Sequence, residues 1–296
     1  MNLNRRKLHK MKDYKELALK AYQIRKNILI AIGAGHKGHF GGSLSIAEIM
    51  ATLYFYKMKH DPHNPGMADR DRFVLSKGHS SPGLYATLAE AGYFPKSDLP
   101  TLKNLGSHLQ GHPDVLKTPG VEANTGSLGQ GLSIGCGMAI GLKHNGLSSR
   151  VYVIIGDGEH GEGQIWEAML FAPARKIDNL VAIVDKNNIQ AMGPTCERMN
   201  TGDLVSKWRA MGWHTIEIDG HDVRQIAEAF DEAETIKGMP TAIIANTMKG
   251  KGVSFTENTA AYHNNSMNQE LYNKAMQELD DKIASLSLTV HSEKSF

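Results

Sequence analysis

The chain has 296 residues, 41% of them hydrophobic and 22% charged, and its 33 Lys and Arg against 31 Asp and Glu leave a net charge of +2. That length supports one large core, and the near balance of charge, with no long basic run, speaks against a nucleic-acid partner. No apolar stretch approaches a membrane span and the N-terminus lacks a signal-peptide core, so a cytoplasmic protein with no membrane partner is expected.

Residues 13–32 carry Leu17, Ala21, Ile24 and Ile28 at a helical period that stops at Gly33-Ala34-Gly35. A second helix is predicted over 45–56, then a Pro- and Gly-bearing loop at 61–66 and a short strand at 72–75. The segment 131–141 reads as a helix despite its glycines, each of which costs about 1 kcal/mol relative to alanine in a helix interior, so close packing must compensate. Apolar runs at 151–155 and 180–184 predict buried strands, followed by strands at 214–218 and 241–247 with a helix at 223–236 between them. A polar amphipathic helix is expected over 264–283. The alternation predicts an α/β fold, a mainly parallel sheet with helices on both faces and right-handed crossovers. One domain is expected across 1–296.

The most informative pattern is Ile154-Ile155-Gly156-Asp157-Gly158, followed about thirty residues later by Asp185-Lys186-Asn187-Asn188-Ile189-Gln190. Both predicted strands end abruptly in small and oxygen-bearing residues, at the sheet edge where open α/β sheets bind ligands. The Asp157 carboxylate, the Asn187 amide oxygen and a main-chain carbonyl near Ile189 offer a hard cation three ligands and leave positions for phosphate oxygens. That donor set suits Mg²⁺ or Ca²⁺ better than zinc. The two cysteines, Cys136 and Cys196, lack metal-type spacing. Fourteen histidines are many for this length. Several fall in glycine-rich loops, where an imidazole can bind hydroxyls or phosphates and move protons.

The paired strand ends resemble the motif of thiamine diphosphate enzymes, and the neighbouring blocks narrow the likeness. Gly38 to Ser45, Asp71 to His79, Gly111-His112-Pro113, Thr125 to Gly131 and Glu159 to Glu167 resemble transketolase blocks in transketolase order. The family-like core spans 12–263, and 264–296 is left as a C-terminal helix and tail. The resemblance implies the thiamine diphosphate-binding fold, with Asp157, Asn187 and the Ile189 carbonyl on the metal. Gly158, Lys249, His79 and His263 would meet the diphosphate or the donor sugar beside it. Gly126, Ser127 and Leu128 would lie against the aminopyrimidine, with Leu128 propping the bent cofactor. His39, His79, His112 and His263 would form a catalytic ring around the ketose hydroxyls, and Glu162 and Glu167 would join a proton-linked network across a dimer. His36 also follows a glycine, but the position of the Gly41-Gly42-Ser43 block favours His39. Phe40 stands where the family usually has proline, and His108 where an arginine is usual.

Full-length transketolases carry a second domain that binds the aminopyrimidine, and this chain stops soon after His263. The resemblance therefore implies the N-terminal subunit of a split transketolase, in which a C-terminal subunit with the pyrimidine-binding domain and a second copy of this chain complete the site. The expected reaction is transfer of a two-carbon ketol unit between sugar phosphates. Half of a deoxyxylulose-phosphate synthase, an oxo-acid dehydrogenase α chain and a non-catalytic cofactor scaffold are the other readings. Gly42-Ser43-Leu44 and Gly111-His112-Pro113 speak against the first two.

Overall fold

The computed structural model describes residues 13–293. Helix α1 (Tyr14–Ile32) begins where the Asp13 carboxylate caps the amides of Lys15 and Glu16, and ends at Gly33. Two short helices follow, α2 (Phe40–Leu44) and α3 (Ala47–Thr52), the latter running into a wide turn at Leu53–Lys57. Helical structure thus starts at Phe40 rather than at the predicted residue 45. Ser45 interrupts it, its hydroxyl spanning from the Gly42 carbonyl to Asp185.

Strand β1 (Arg72–Leu75) leads through α4 (Ser81–Ala91) and a long loop to α5 (Gln130–His144). Then come β2 (Val151–Gly156), α6 (Gly163–Ala174) and β3 (Leu180–Lys186). A small hairpin of β4 (Ile189–Gln190) and β5 (Gly193–Pro194) precedes α7 (Thr195–Arg198) and α8 (Leu204–Ala210). Strand β6 (His214–Asp219), α9 (Val223–Thr235), β7 (Thr241–Asn246) and α10 (Gln269–Glu293) complete the order. The last helix starts later and runs further than the predicted 264–283. Asn268 accepts the amide of Leu271 at its start, while Asn265 is held in a bridge to Gly38.

Five strands pair in the order β1, β2, β3, β7, β6, every pair parallel. Alternate side chains of β2 enter opposite apolar layers, Tyr152 and Ile154 with α1, α3 and α9, Val151, Val153 and Ile155 with α5, α6 and α8. A sheet covered on both faces needs strands apolar throughout, which explains the unbroken runs. The glycines of α5 face two ways. A Cβ at Gly131 or Gly135 would come within 2.5 Å of Ser76 or Val153, so these two let the helix lie directly on the sheet, while Gly137 and Gly141 face open space.

The chain leaves β3 toward the α8 layer, but leaves β7 toward α1 and α10. This divergence opens a crevice beyond the carboxyl ends of neighbouring strands, where ligands of such sheets bind. Among the described residues no helix is long and apolar enough to cross a membrane.

Candidate active site

A cavity of about 330 Å³ lies at that crevice, and Asp157, Asn187 and Ile189 line one side of it. Asp157 ends β2, and its two oxygens accept the amides of Gly158 at 2.7 Å and Asn188 at 2.5 Å. Burial, with the nearby Asp185 charge, raises its pKa to about 6. Asn187 donates from its amide nitrogen to Asp185 at 2.9 Å, which turns its oxygen the other way. Lys249, on the loop after β7, donates to the Ile189 carbonyl at 2.6 Å and meets His263 Nδ1 at 2.9 Å. An ammonium seated on that carbonyl marks a position suited to positive charge. One carboxylate, one amide and one carbonyl form a hard-oxygen set that a divalent cation and an anionic ligand would complete. Among the described residues no group of three or more His, Cys, Asp and Glu is placed to hold a metal ion.

Histidines line the same cavity and form a wall of imidazoles. The rings of His39, His79 and His263 stand 5.0, 5.4 and 5.2 Å apart by pairs. Burial and then neighbouring positive charge lower all three, His39 to about 4, His79 to about 2 and His263 to about 3, so each is neutral at physiological pH. Burial likewise brings Lys249 down to about 8. His112 stands more exposed at the mouth, beneath Gly126. Gly126 has φ +139°, and a Cβ there would come within 2.9 Å of the His112 ring. Gly126 and Leu128 line the cavity, as do Gly158, Lys249, His39, His79 and His263.

Other expected residues lie elsewhere. Ser127, Glu162 and Glu167 are exposed and outside the cavity, and His36 is exposed while His39 faces inward. His108 is also outside, its ring near Asp98 and against Phe94.

Two cavity residues have no signal in the strand-end pattern. Glu159, buried and raised in pKa by desolvation, gathers Ser76 at 2.5 Å and the amides of Gly129 at 2.8 Å and Gly156 at 3.0 Å. It thereby joins the ends of β1 and β2 to the start of α5. Lys77 donates to Asp185 and to the Gly42 carbonyl, both at 2.6 Å. Desolvation pushes Asp185 up, yet the Lys77 charge and the hydrogen bonds hold it below the ordinary range. Their place in Ser76-Lys77-Gly78-His79 and directly after Gly158 is the only clue to them in the sequence.

Behind the wall a second buried pair anchors the Lys249 loop. Arg25 holds Glu48 through both carboxylate oxygens at 2.5 and 2.6 Å and donates to the Lys251 carbonyl at 2.8 Å. His221 meets Glu48 at 3.0 Å and accepts the Met248 amide at 2.8 Å, which fixes its proton on Nδ1.

An α/β domain whose polar cavity, lined by oxygen donors and imidazoles, lies at a topological switch point belongs to the class of cofactor-binding α/β proteins. The comparisons agree with that class. Residues 18–283 match the family described as transketolase, thiamine diphosphate binding domain. The 6-deoxy-6-sulfo-D-fructose transketolase subunit SqwG of Clostridium sp. is 49% identical over 265 residues, covering 90% of this chain and 96% of its own length. An apulose-4-phosphate transketolase subunit of Actinobacillus succinogenes is 42% identical, with 91% and 98% covered. The solved transketolase of Leishmania mexicana superposes with TM-score 0.79 at 30% identity, covering 96% of this chain and 46% of that one. The chain belongs to the transketolase family and corresponds to its N-terminal, thiamine diphosphate-binding part. It spans under half of the full-length structure and nearly all of the two subunits.

Proposed function

We propose that this chain is the cofactor-binding subunit of a two-chain transketolase. With a C-terminal subunit it would move a two-carbon ketol unit from a ketose phosphate to an aldose phosphate. The observation that carries this reading is one cavity lined by Asp157, Asn187 and Ile189 together with the three neutral imidazoles of His39, His79 and His263. Thiamine diphosphate, when bound, would supply a nucleophilic thiazolium carbon, the chemistry that ketol transfer needs. The chain's own residues bind, orient and move protons. Asp157, Asn187 and the Ile189 carbonyl would hold Mg²⁺ or Ca²⁺, and Lys249 supplies a further positive charge toward the diphosphate. His39, His79, His112 and His263 face the space for a ketose. A neutral imidazole can donate from one nitrogen and accept at the other, so this wall suits both hydroxyl binding and proton transfer.

The partner would be a chain carrying the pyrimidine-binding domain, with a second copy of this chain completing a heterotetramer. Supporting this are the word "subunit" in the names of both relatives and an apolar strip with Ile140 on α5 and Leu170 and Phe171 on α6, all exposed. Glu162 and Glu167 are exposed near this strip, as residues of a proton-linked network between copies would be in an isolated chain. The relatives' names point to ketoses with an anionic end as substrates, and a cytoplasmic setting fits sugar-phosphate chemistry. The test mixes this chain with a C-terminal transketolase subunit, thiamine diphosphate and Mg²⁺, and follows ketol transfer. Turnover is expected only in the mixture. Robust transfer by the chain alone would overturn the two-chain reading, and failure of the assembled complex to take up the cofactor would overturn the site.

A further inference from the structure

His160 lies three residues past Asp157 and takes no part in the chemistry above. The chain has three tryptophans, and all three share one cluster with it. The rings of Trp166 and Trp208 stand 5.9 and 5.8 Å from its imidazole, edge to face, and Trp213 packs against Trp208 at 4.7 Å. Trp166 also donates to the His160 carbonyl at 2.8 Å. An imidazole only 1% exposed in such a cage needs a polar partner for each ring nitrogen.

The partners decide which nitrogen carries the proton. Nε2 accepts the indole N–H of Trp208 at 3.0 Å, while Nδ1 faces the carbonyls of Gly156 at 3.0 Å and Asp157 at 3.1 Å. An indole N–H only donates and a carbonyl only accepts, so the proton sits on Nδ1. Those two carbonyls flank the α-carbon of Asp157. The neighbouring amides are held as well, that of Gly156 by Glu159 at 3.0 Å and that of Asp157 by the Asp185 carbonyl at 3.2 Å. The main chain beneath the Asp157 carboxylate is thus tied by the two side chains that follow the turn. Cation–oxygen distances vary by only a few tenths of an ångström, so a ligand must be held from behind to serve.

We infer that His160 is a positioning residue for the cation: donating from a tryptophan cage to the carbonyls on both sides of Asp157, it aims that carboxylate to act with Asn187 and the Ile189 carbonyl. This assignment rests on the reading of Asp157 as a cation ligand.

The test is calorimetric titration of Mg²⁺ into the assembled complex at saturating thiamine diphosphate. The unmodified chain is compared with His160→Leu, which fills the cage without a polar atom. His160→Asn is the rescue, placing an amide N–H where Nδ1 stands and giving up the Trp208 bond. Loss of a group that orients a metal ligand predicts about ten- to hundredfold weaker Mg²⁺ binding in the Leu variant. The Asn variant should recover most of that loss. Thermal unfolding without cation, followed by tryptophan emission, separates positioning from packing, because a packing role lowers the midpoint in both variants and leaves their Mg²⁺ affinities equal. Unmodified affinity in His160→Leu, or equal weakening in both variants, overturns the assignment and leaves the cation reading standing. No Mg²⁺ uptake by the unmodified complex removes the cation reading and this inference with it. Where His160→Leu does not fold, a crystal structure of the unmodified complex with thiamine diphosphate and Mg²⁺ decides. Asp157 on the cation with Nδ1 within about 3.2 Å of both carbonyls supports the assignment, and a ring withdrawn from them overturns it.

Discussion

Beneath the cavity, Asp185 accepts from Lys77, Ser45, Asn187 and Thr247, whereas on the wall above it His39, His79 and His112 make no side-chain hydrogen bond among the described residues. Both regions are polar, yet only the floor is fully buried and satisfied from within the chain. A charge removed from water persists in a folded protein only when partners compensate it. The floor is therefore scaffold, while the imidazoles of the wall are not tied into it.

Breaking the floor should have the largest effect on folding. Lys77→Met leaves Asp185 buried and uncompensated, and is expected to destabilise the chain by about 3–5 kcal/mol in urea unfolding. A loss below about 1 kcal/mol would show that the pair is not the anchor described. The wall should behave in the opposite way. His39→Ala is expected to change stability by less than about 1 kcal/mol while lowering kcat/KM of the assembled enzyme about 10²–10⁴-fold.

Acid sharpens the contrast. His79 and His263 have folded pKa values of about 2 and about 3 against an ordinary 6.5, so below 6.5 the unfolded chain binds protons that the folded chain refuses. Their contribution to stability is present above pH 6.5 and is lost as pH falls toward 3. Asp157 acts with the other sign, its raised pKa of about 6 giving a contribution present below 3.8 and lost as pH rises through 6. His79→Gln should therefore lose stability less steeply than the unmodified chain between pH 6.5 and 4, measured as urea midpoint against pH. Identical slopes would contradict the neutral-wall account. The smallest effect is expected at the exposed carboxylates. Glu162→Ala should alter stability of the isolated chain by less than about 0.5 kcal/mol but reduce activity of the complex, and unchanged activity would remove Glu162 from the dimer network.

Much of the frame was legible before folding. The predicted runs at 151–155 and 180–184 lie within β2 and β3, and the predicted strand at 72–75 coincides with β1, because a strand buried on both faces must be apolar throughout. The break at Ser45 was not legible, since it depends on a hydroxyl reaching Asp185, which lies 140 residues away in sequence. Nor was the start of α10, which waits for Asn265 to pair with Gly38. Ser127, Glu162 and Glu167 sit in the matching blocks, yet they face away from the cavity of this chain.

Local periodicity and the residues at strand ends determined the α/β order, the crevice edge and the oxygen donors, because those features are written within short spans of chain. Tertiary structure decided the rest. It turned His39 rather than His36 into the cavity, buried Lys77 against Asp185 and bound Glu159 to Ser76 and Gly129. Each of these depends on distances between segments far apart in sequence, and on which polar groups lose water when those segments meet.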